Sequence, residues 1–167
     1  TPGVLAETTA DLGWALLIAG ARRIVEAHGQ VRDGEWETWG PTVLLGRDVH
    51  EATLGVVGLG RIGTEFARRA AGFDMDVLYS HTSPNGEAEA DLAEYGIGAE
   101  YCELGELLDR ADFVSLHVPL LEDTYHLIGE SELRRMDEHA VLVNTARGEV
   151  VETDALVRAL EEDWIRH

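Results

Sequence analysis

The chain has a single cysteine, no lysine and no long apolar run. With only Cys102, neither an internal disulfide nor a zinc site built on several cysteines can form. The longest apolar stretch runs from Trp14 to Ala21, which is too short to cross a bilayer, and no secretory signal is visible. His28, His50, His126 and His139 show no metal-ligand spacing. We therefore expect a cytoplasmic protein with no membrane segment and no metal site.

Positive charge is scarce as well. All 13 basic residues are arginine, and against 32 acidic residues they leave a net charge of −19. Such a surface repels DNA, RNA and anionic lipid, so neither a nucleic acid nor a membrane is an expected partner. Strong acidity with arginine in place of lysine is typical of salt-loving organisms, where dense carboxylates hold water and cations. The alternative is a merely acidic protein.

The content of hydrophobic residues, 45%, is that of a globular protein. From Thr53 onward, short and continuously apolar runs alternate with segments of helical spacing. This order predicts an α/β fold, a doubly wound parallel (Rossmann) sheet with its strands buried on both faces. The predicted strands are 54–57, 76–79, 99–102, 113–116 and 141–143. The predicted helices are 62–71, 87–95, 104–110, 130–136 and one from 153 or 154 to about 162.

The first part of the chain has a different organisation. A helix is predicted over residues 8–28, because Thr8 and Asp11 form a capping-box pattern ahead of apolar positions at helical spacing. A charged turn at 32–35 and an irregular aromatic arm at 36–41 follow. We divide the chain into a helix and arm, 1–52, and a Rossmann core, 53–167. A Rossmann sheet usually has six strands and only five are predicted here, so we expect the core of a larger two-domain enzyme, with the sixth strand and the substrate domain absent.

A glycine-rich turn carries the most specific signal. Residues Gly58 to Gly63 read G-x-G-x-x-G between an apolar strand and an amphipathic helix, the context in which this motif indicates dinucleotide binding. Gly58 allows the tight turn, Gly60 lets a diphosphate approach the backbone, and Gly63 lets the helix pack on the strand. The amides near Arg61 and Ile62 would then bind the phosphates, helped by the helix dipole. The alternative is an ordinary tight turn.

The end of the second strand bears on which dinucleotide is bound. NAD sites usually have a carboxylate here for the ribose 2′-hydroxyl, whereas this chain reads Ser80-His81-Thr82. Because a carboxylate would repel a 2′-phosphate and these residues offer donors, we predict a preference for NADP(H), with NAD(H) possible. No arginine lies in the loop, which counts against this prediction.

Taken together, the motifs resemble those of the D-isomer-specific 2-hydroxyacid dehydrogenases. The resemblance covers essentially the whole chain and is strongest to the glyoxylate/hydroxypyruvate reductases. It depends on the runs Thr1–Val4, Gly58–Gly63, His117–Leu120 and Val143–Gly148. The family transfers hydride between a nicotinamide cofactor and a 2-keto acid or D-2-hydroxy acid, so the resemblance implies such an oxidoreductase.

The resemblance also implies roles for individual residues. The catalytic arginine of the family falls on Arg147, whose guanidinium would hold the substrate carboxylate and polarise the keto oxygen. The coenzyme would lie along the following residues: Leu59 to Ile62 at the diphosphate, Ser80 to Thr82 at the adenosine ribose, Val118 and Pro119 beside the adenine, and Thr145 and Ala146 along the nicotinamide half.

One departure from the family is informative. The proton donor of the family is a histidine in a Pro-His motif, preceded by a glutamate, and none of the seven histidines here follows a proline. His117 precedes Pro119 and corresponds to a position beside the cofactor. Since the general acid is missing, we expect this segment alone to be inactive and its full-length parent to be active.

The resemblance implies a homodimer formed through the first helix and the arm around Trp36 and Trp39. The first helix is apolar over more of its surface than one packing face needs. In relatives an aromatic residue of the arm approaches the partner's substrate pocket, and Trp39 is our candidate for it. Two alternatives to the leading function stay open here: a dinucleotide-sensing corepressor-like binding protein, and a phosphoglycerate or formate dehydrogenase.

Overall fold

A computed structural model describes residues 4–166. Five parallel strands form one sheet in the order β3-β2-β1-β4-β5. This order, with helices on both faces, confirms the predicted doubly wound sheet. The strands are β1 (Thr53–Val57), β2 (Asp76–Ser80), β3 (Ala99–Tyr101), β4 (Phe113–Leu116) and β5 (Val141–Asn144).

Seven α-helices accompany the sheet in the described part of the chain. They are α1 (Ala6–Ala21), α2 (Ile24–Asp33), α3 (Arg61–Arg68), α4 (Gly86–Ala93), α5 (Leu104–Arg110), α6 (Glu130–Leu133) and α7 (Thr153–Glu161). Short 3₁₀ turns occupy Arg69–Phe73, Glu122–Thr124 and Gly148–Val150. No helix between residues 4 and 166 combines the length and the apolarity that a membrane crossing requires.

The strands bury side chains on both faces, and alternate residues contribute to two separate cores. Val77 and Tyr79 of β2 face the core beneath α1, α3 and α4, whereas Leu78 faces the core beneath α5, α6 and α7. This period of two explains why the strands read as continuously apolar: each residue meets a helix layer on one face or the other.

Helix α1 is part of the first core. Ala10, Trp14 and Leu17 are buried, and the Trp14 indole donates a hydrogen bond to the Phe66 carbonyl oxygen at 2.7 Å. The Trp14 ring also stacks on Phe73, with 4.9 Å between the ring centroids. On the opposite side, Leu12 and Leu16 of α1 and Leu5 directly before it are exposed, and α2 buries none of its residues.

The prediction of one helix over 8–28 was wrong. Helix α1 begins at Ala6 without a side-chain cap and ends at Ala21, and α2 begins after Arg23, whose φ is 53°. Thr8 and Asp11 do not form the predicted capping box, because the helix already begins at Ala6 and both residues lie inside it. The Asp11 carboxylate instead accepts from Arg69 at 2.6 Å. The helix ends where Arg47 crosses it and donates its backbone N–H to the Ala21 carbonyl oxygen at 2.7 Å.

Two other predicted helices are longer than the observed ones. Helix α3 ends at Arg68 and passes into the 3₁₀ turn Arg69–Phe73, and α6 ends at Leu133 instead of continuing to residue 136. After α6 the chain turns into β5, and the Ala140 N–H donates to the Asp137 carbonyl oxygen at 2.8 Å. The aromatic arm at 36–41 lies outside any helix or strand, as predicted.

Candidate functional site: a cleft at the carboxyl end of the sheet

The turn between β1 and α3 requires glycine at its first position. Gly58 has φ = 96°, and its N–H donates to the Ser80 carbonyl oxygen of β2 at 2.8 Å. A Cβ at this position would also lie 2.9 Å from the Val118 Cγ1. Backbone conformation and the close approach of the segment after β4 therefore both exclude a larger residue.

The other two glycines of the motif differ from one another. A Cβ on Gly63 would overlap the Gly58 carbonyl oxygen, so this glycine lets α3 begin directly against the strand. A Cβ on Gly60 would meet nothing within 4 Å, since this residue borders open space. This open space at the start of a helix is the cradle that a diphosphate would need.

The first amides of helix α3 have no partner within the helix. Its ladder starts where the Thr64 N–H donates to the Gly60 carbonyl oxygen at 2.8 Å, and the Thr64 hydroxyl donates to the same oxygen at 2.9 Å. The N–H groups of Arg61 and Ile62 precede this bond and remain available to a ligand, as at any helix start. Together with the helix dipole they favour an anion at this position.

These residues border a cleft of about 580 Å³ at the carboxyl ends of β1, β4 and β5. The cleft lies where the strand order reverses between β1 and β4, the usual ligand position in open α/β sheets. Its lining comes from the start of α1 and from the three predicted segments that follow the strands: Gly60, Arg61 and Ile62; His117, Val118, Pro119 and Leu120; Thr145, Ala146 and Arg147.

Arg147 is exposed in a loop whose backbone is fixed by Asn144. The Asn144 side-chain amide donates to the Arg147 carbonyl oxygen at 2.8 Å, and its oxygen accepts from the Ala146 N–H at 2.9 Å. The guanidinium itself donates to the Ala146 carbonyl oxygen at 2.8 Å. Asn144 thus presents Arg147 at the cleft, a function that sequence reasoning missed although the asparagine stands in the same motif.

In the part of the chain that the structure describes, the cleft contains arginines without carboxylate partners, although the protein as a whole is strongly acidic. Nine of the 13 arginines have a carboxylate oxygen within 4 Å. Among residues 4–166, the arginines without one are Arg32, Arg61, Arg147 and Arg166, and two of these four line the cleft. The Thr145 hydroxyl is buried beside them and lacks a hydrogen-bond partner in this part of the chain. Unpaired cations and an unpartnered hydroxyl suit an anionic, polar ligand.

His117 lies at the floor of the same cleft as a neutral ring. Burial lowers the pKa of His117 to about 4, and its Nε2 is hydrogen-bonded to the Ser115 hydroxyl at 2.9 Å. The ring also contacts Phe66, with 4.8 Å between centroids. Because it is uncharged at neutral pH, His117 adds no positive charge to the cleft.

The predicted ribose residues Ser80, His81 and Thr82 lie at the end of β2, beside the glycine turn but outside the lining of this cleft. A second hollow of about 760 Å³ adjoins the turn on the α4 side and shares Gly60 and Arg61 with the first. Its other lining residues include Asn85, a residue that sequence reasoning missed. They also include five carboxylates: Glu7, Glu65, Glu87, Asp91 and Glu94.

A doubly wound sheet with this turn and this cleft defines a dinucleotide-binding domain. The profile of the family described as "D-isomer specific 2-hydroxyacid dehydrogenase, NAD binding domain" matches residues 14–167. The chain belongs to this family, as the resemblance implied.

Individual relatives are consistent with this family membership. The chain is 55% identical to a glyoxylate reductase of Korarchaeum cryptofilum over 99% of its length, which is 48% of that protein. A crystal structure of a protein from Thermus thermophilus superposes with a TM-score of 0.88 at 47% identity, covering 96% of this chain and 49% of that one. D-lactate dehydrogenase with NAD⁺ from Lactobacillus jensenii superposes with a TM-score of 0.86 at 30% identity, covering 99% and 48%. The chain therefore spans about half the length of the relatives it matches.

Proposed function

We propose that this domain holds the nicotinamide coenzyme of a 2-keto acid reductase, in particular one that reduces glyoxylate or hydroxypyruvate. The main support is that the glycine turn and Arg147 line the same cleft. Arg147 has no carboxylate partner among the described residues. A coenzyme bound along the turn and a 2-keto acid bound at Arg147 would then meet in the same cleft. The relatives named glyoxylate reductase support this choice of substrate.

In this proposal each segment of the cleft has one task. Leu59 to Ile62 bind the diphosphate through backbone amides and the Arg61 guanidinium. Val118 and Pro119 border the adenine, Thr145 and Ala146 lie along the nicotinamide half, and Arg147 grips the substrate carboxylate with its rigid fork of donors. The bound coenzyme supplies the hydride. Arg147 orients the keto group and stabilises the negative charge that develops on its oxygen.

The substitution Arg147→Lys tests this function, because it keeps the charge and removes the bidentate geometry. In the protein that carries this domain we expect kcat/KM for glyoxylate to fall by about 100-fold or more. The Kd for NADPH, measured by fluorescence titration, should change less than twofold. Arg158→Lys on α7, a surface ion pair with Glu130, is the matched control and should behave as the parent does. Unchanged turnover by Arg147→Lys would refute the assignment.

We further propose that the domain prefers NADP(H) to NAD(H). The support is that Ser80, His81 and Thr82 offer no carboxylate to the ribose 2′-position. The carboxylates of the second hollow come instead from α1, α3 and α4 and from Glu94 directly after α4. Titration with NADPH and NADH measures the preference, and tighter binding of NADH would overturn it. The substitution Ser80→Asp should shift the preference towards NADH.

A homodimer is proposed on the remaining apolar surface, with residues 1–52 as its linking helix and arm and 53–167 as the coenzyme core. Leu12 and Leu16 of α1 and Leu5 directly before it are exposed, and Trp36 and Trp39 are 57% and 79% exposed. A two-fold contact would bury this set against its own copy, with Trp39 approaching the partner's substrate pocket. Sedimentation at low micromolar concentration in high salt should show the dimer, and Leu12→Glu should weaken it.

A further inference from the structure

The loop between β2 and α4, residues 81–84, is attached to the glycine turn at both of its ends. Before the loop, the Ser80 carbonyl oxygen accepts from the Gly58 N–H at 2.8 Å. After the loop, the Asn85 side-chain amide donates to the Leu59 carbonyl oxygen at 2.8 Å. Consecutive residues of the turn, Gly58 and Leu59, thus hold the two ends of the segment that follows β2.

The position of Asn85 is itself fixed by three further hydrogen bonds. Its backbone N–H donates to the Tyr79 hydroxyl at 2.8 Å, and Tyr79 is a fully buried residue whose hydroxyl donates in turn to Glu89. Its side-chain oxygen accepts from the Ala88 N–H at 3.3 Å, which caps α4. Its carbonyl oxygen accepts from the Glu89 N–H at 3.0 Å.

The two ends of the Asn85 amide therefore have separate tasks. The oxygen caps α4, as asparagine does at many helix starts. The nitrogen contributes nothing to that cap and instead bridges to the glycine turn. Because Leu59 offers an acceptor and Ala88 a donor, only this orientation of the amide satisfies both partners.

We propose that Asn85 is a positioning residue that keeps the 81–84 loop in register with the glycine turn, so that a ligand spanning both finds them already aligned. The inference rests on the proposed coenzyme function, in which the turn holds the diphosphate and the loop holds the adenosine ribose. A ligand that touches both segments gains from their alignment, since less ordering is left to occur on binding. A ligand that touches only the turn gains nothing from it.

The substitution Asn85→Ser isolates the bridge. Serine is a good N-cap and can still accept from the Ala88 N–H, but its side chain is too short to reach Leu59. We expect the Kd of NADPH and of ADP-ribose to rise about fivefold by calorimetry, because the loop released from the turn must then be ordered on binding, at a cost of about the strength of the lost hydrogen bond. Binding of inorganic pyrophosphate, measured at millimolar concentration by competition with ADP-ribose, should change less than twofold, and the thermal midpoint should stay within about two degrees.

Asn85→Ala is the companion variant, because it removes the cap as well as the bridge. We expect the same loss of ADP-ribose affinity together with a lower thermal midpoint. Equal affinity of Asn85→Ser and the parent protein for ADP-ribose would overturn the positioning role. An equal loss for pyrophosphate and ADP-ribose would also overturn it, since that result means a loosened turn. If the parent protein itself binds neither NADPH nor NADH, the proposed function fails first.

Discussion

Two glycines of one turn, Gly60 and Gly63, face opposite surroundings. A Cβ on Gly60 would enter the open cleft, whereas a Cβ on Gly63 would collide with the backbone at Gly58. The small size of Gly60 thus leaves room for a ligand, whereas the small size of Gly63 is required by the packing of the fold. Substitution by alanine at each position therefore tests the two requirements separately.

We expect Gly60→Ala to leave the thermal midpoint within about two degrees, because Gly60 has φ = −87° and alanine adopts that conformation without strain. Its Kd for NADPH should rise tenfold or more, because the new methyl group occupies the space of the diphosphate. Gly63→Ala should instead lower the free energy of unfolding by about 2 kcal/mol or more, since backbone must shift. Urea unfolding and coenzyme titration of both variants check the pair; similar behaviour of the two would contradict it.

His117 makes stability depend on pH. Its pKa of about 4 in the folded protein lies below that of an unfolded histidine, so the unfolded chain binds more protons between about pH 4 and 6.5. The contribution of His117 to the free energy of unfolding is therefore fully present above about pH 6.5. It is lost as the pH falls towards 4, by at most about 3 kcal/mol. His117→Gln removes the titration. The difference in urea unfolding free energy between parent and variant should change between pH 7 and pH 5, and a constant difference would disprove this origin.

At the scale of elements, the sequence predicted the strands better than the helices. The sheet was readable because each strand meets helices on both faces, and Val77, Leu78 and Tyr79 are apolar in succession for that reason. The glycine turn was equally readable, since steric need determines residue type there. The Asn85 bridge was not, because a surface asparagine before a helix looks the same whether or not Leu59 lies within reach.

The break between α1 and α2 shows why helix ends were missed. The left-handed residue that ends a helix is usually glycine, but here it is Arg23, with φ = 53°. Arg23 forms an ion pair with Glu26 at 3.1 Å, and the Arg47 backbone blocks the extension of α1 at Ala21. Tertiary contacts thus impose a break for which the local sequence carries no signal.

Arg23→Gly should stabilise the protein by about 0.5–1 kcal/mol, because glycine adopts the left-handed conformation without the steric cost that a side chain incurs. The lost ion pair with Glu26 is partly exposed and offsets little of this gain. The neighbouring Arg22 has φ = −103°, so Arg22→Gly brings no such relief and should be neutral or destabilising. Chemical denaturation of both variants measures the difference. An Arg23→Gly variant less stable than the parent would contradict the claim that the left-handed conformation of Arg23 is strained.

For the whole molecule, the balance of charge decides how salt acts. With 32 acidic residues and 13 arginines, at least 19 carboxylates cannot be matched one to one, so repulsion outweighs pairing in the folded state. The ion pairs are mostly exposed, and each contributes little to stability. Screening by salt therefore weakens these pairs less than it weakens the repulsion among the carboxylates. Added salt should therefore stabilise the fold.

We expect the thermal midpoint to rise by about 5–10 °C between about 0.1 M and 2 M KCl, which corresponds to a gain of about 2–3 kcal/mol for a domain of this size. The shape of the rise separates two origins. Simple screening is nearly complete by about 0.5 M, where the Debye length is only about 4 Å, so a plateau there indicates a merely acidic protein. A continued rise towards about 2 M indicates cations and water held by the carboxylates, as in proteins adapted to salt. A flat or falling midpoint would contradict both, and would mean that the arginine pairs outweigh the net charge of −19.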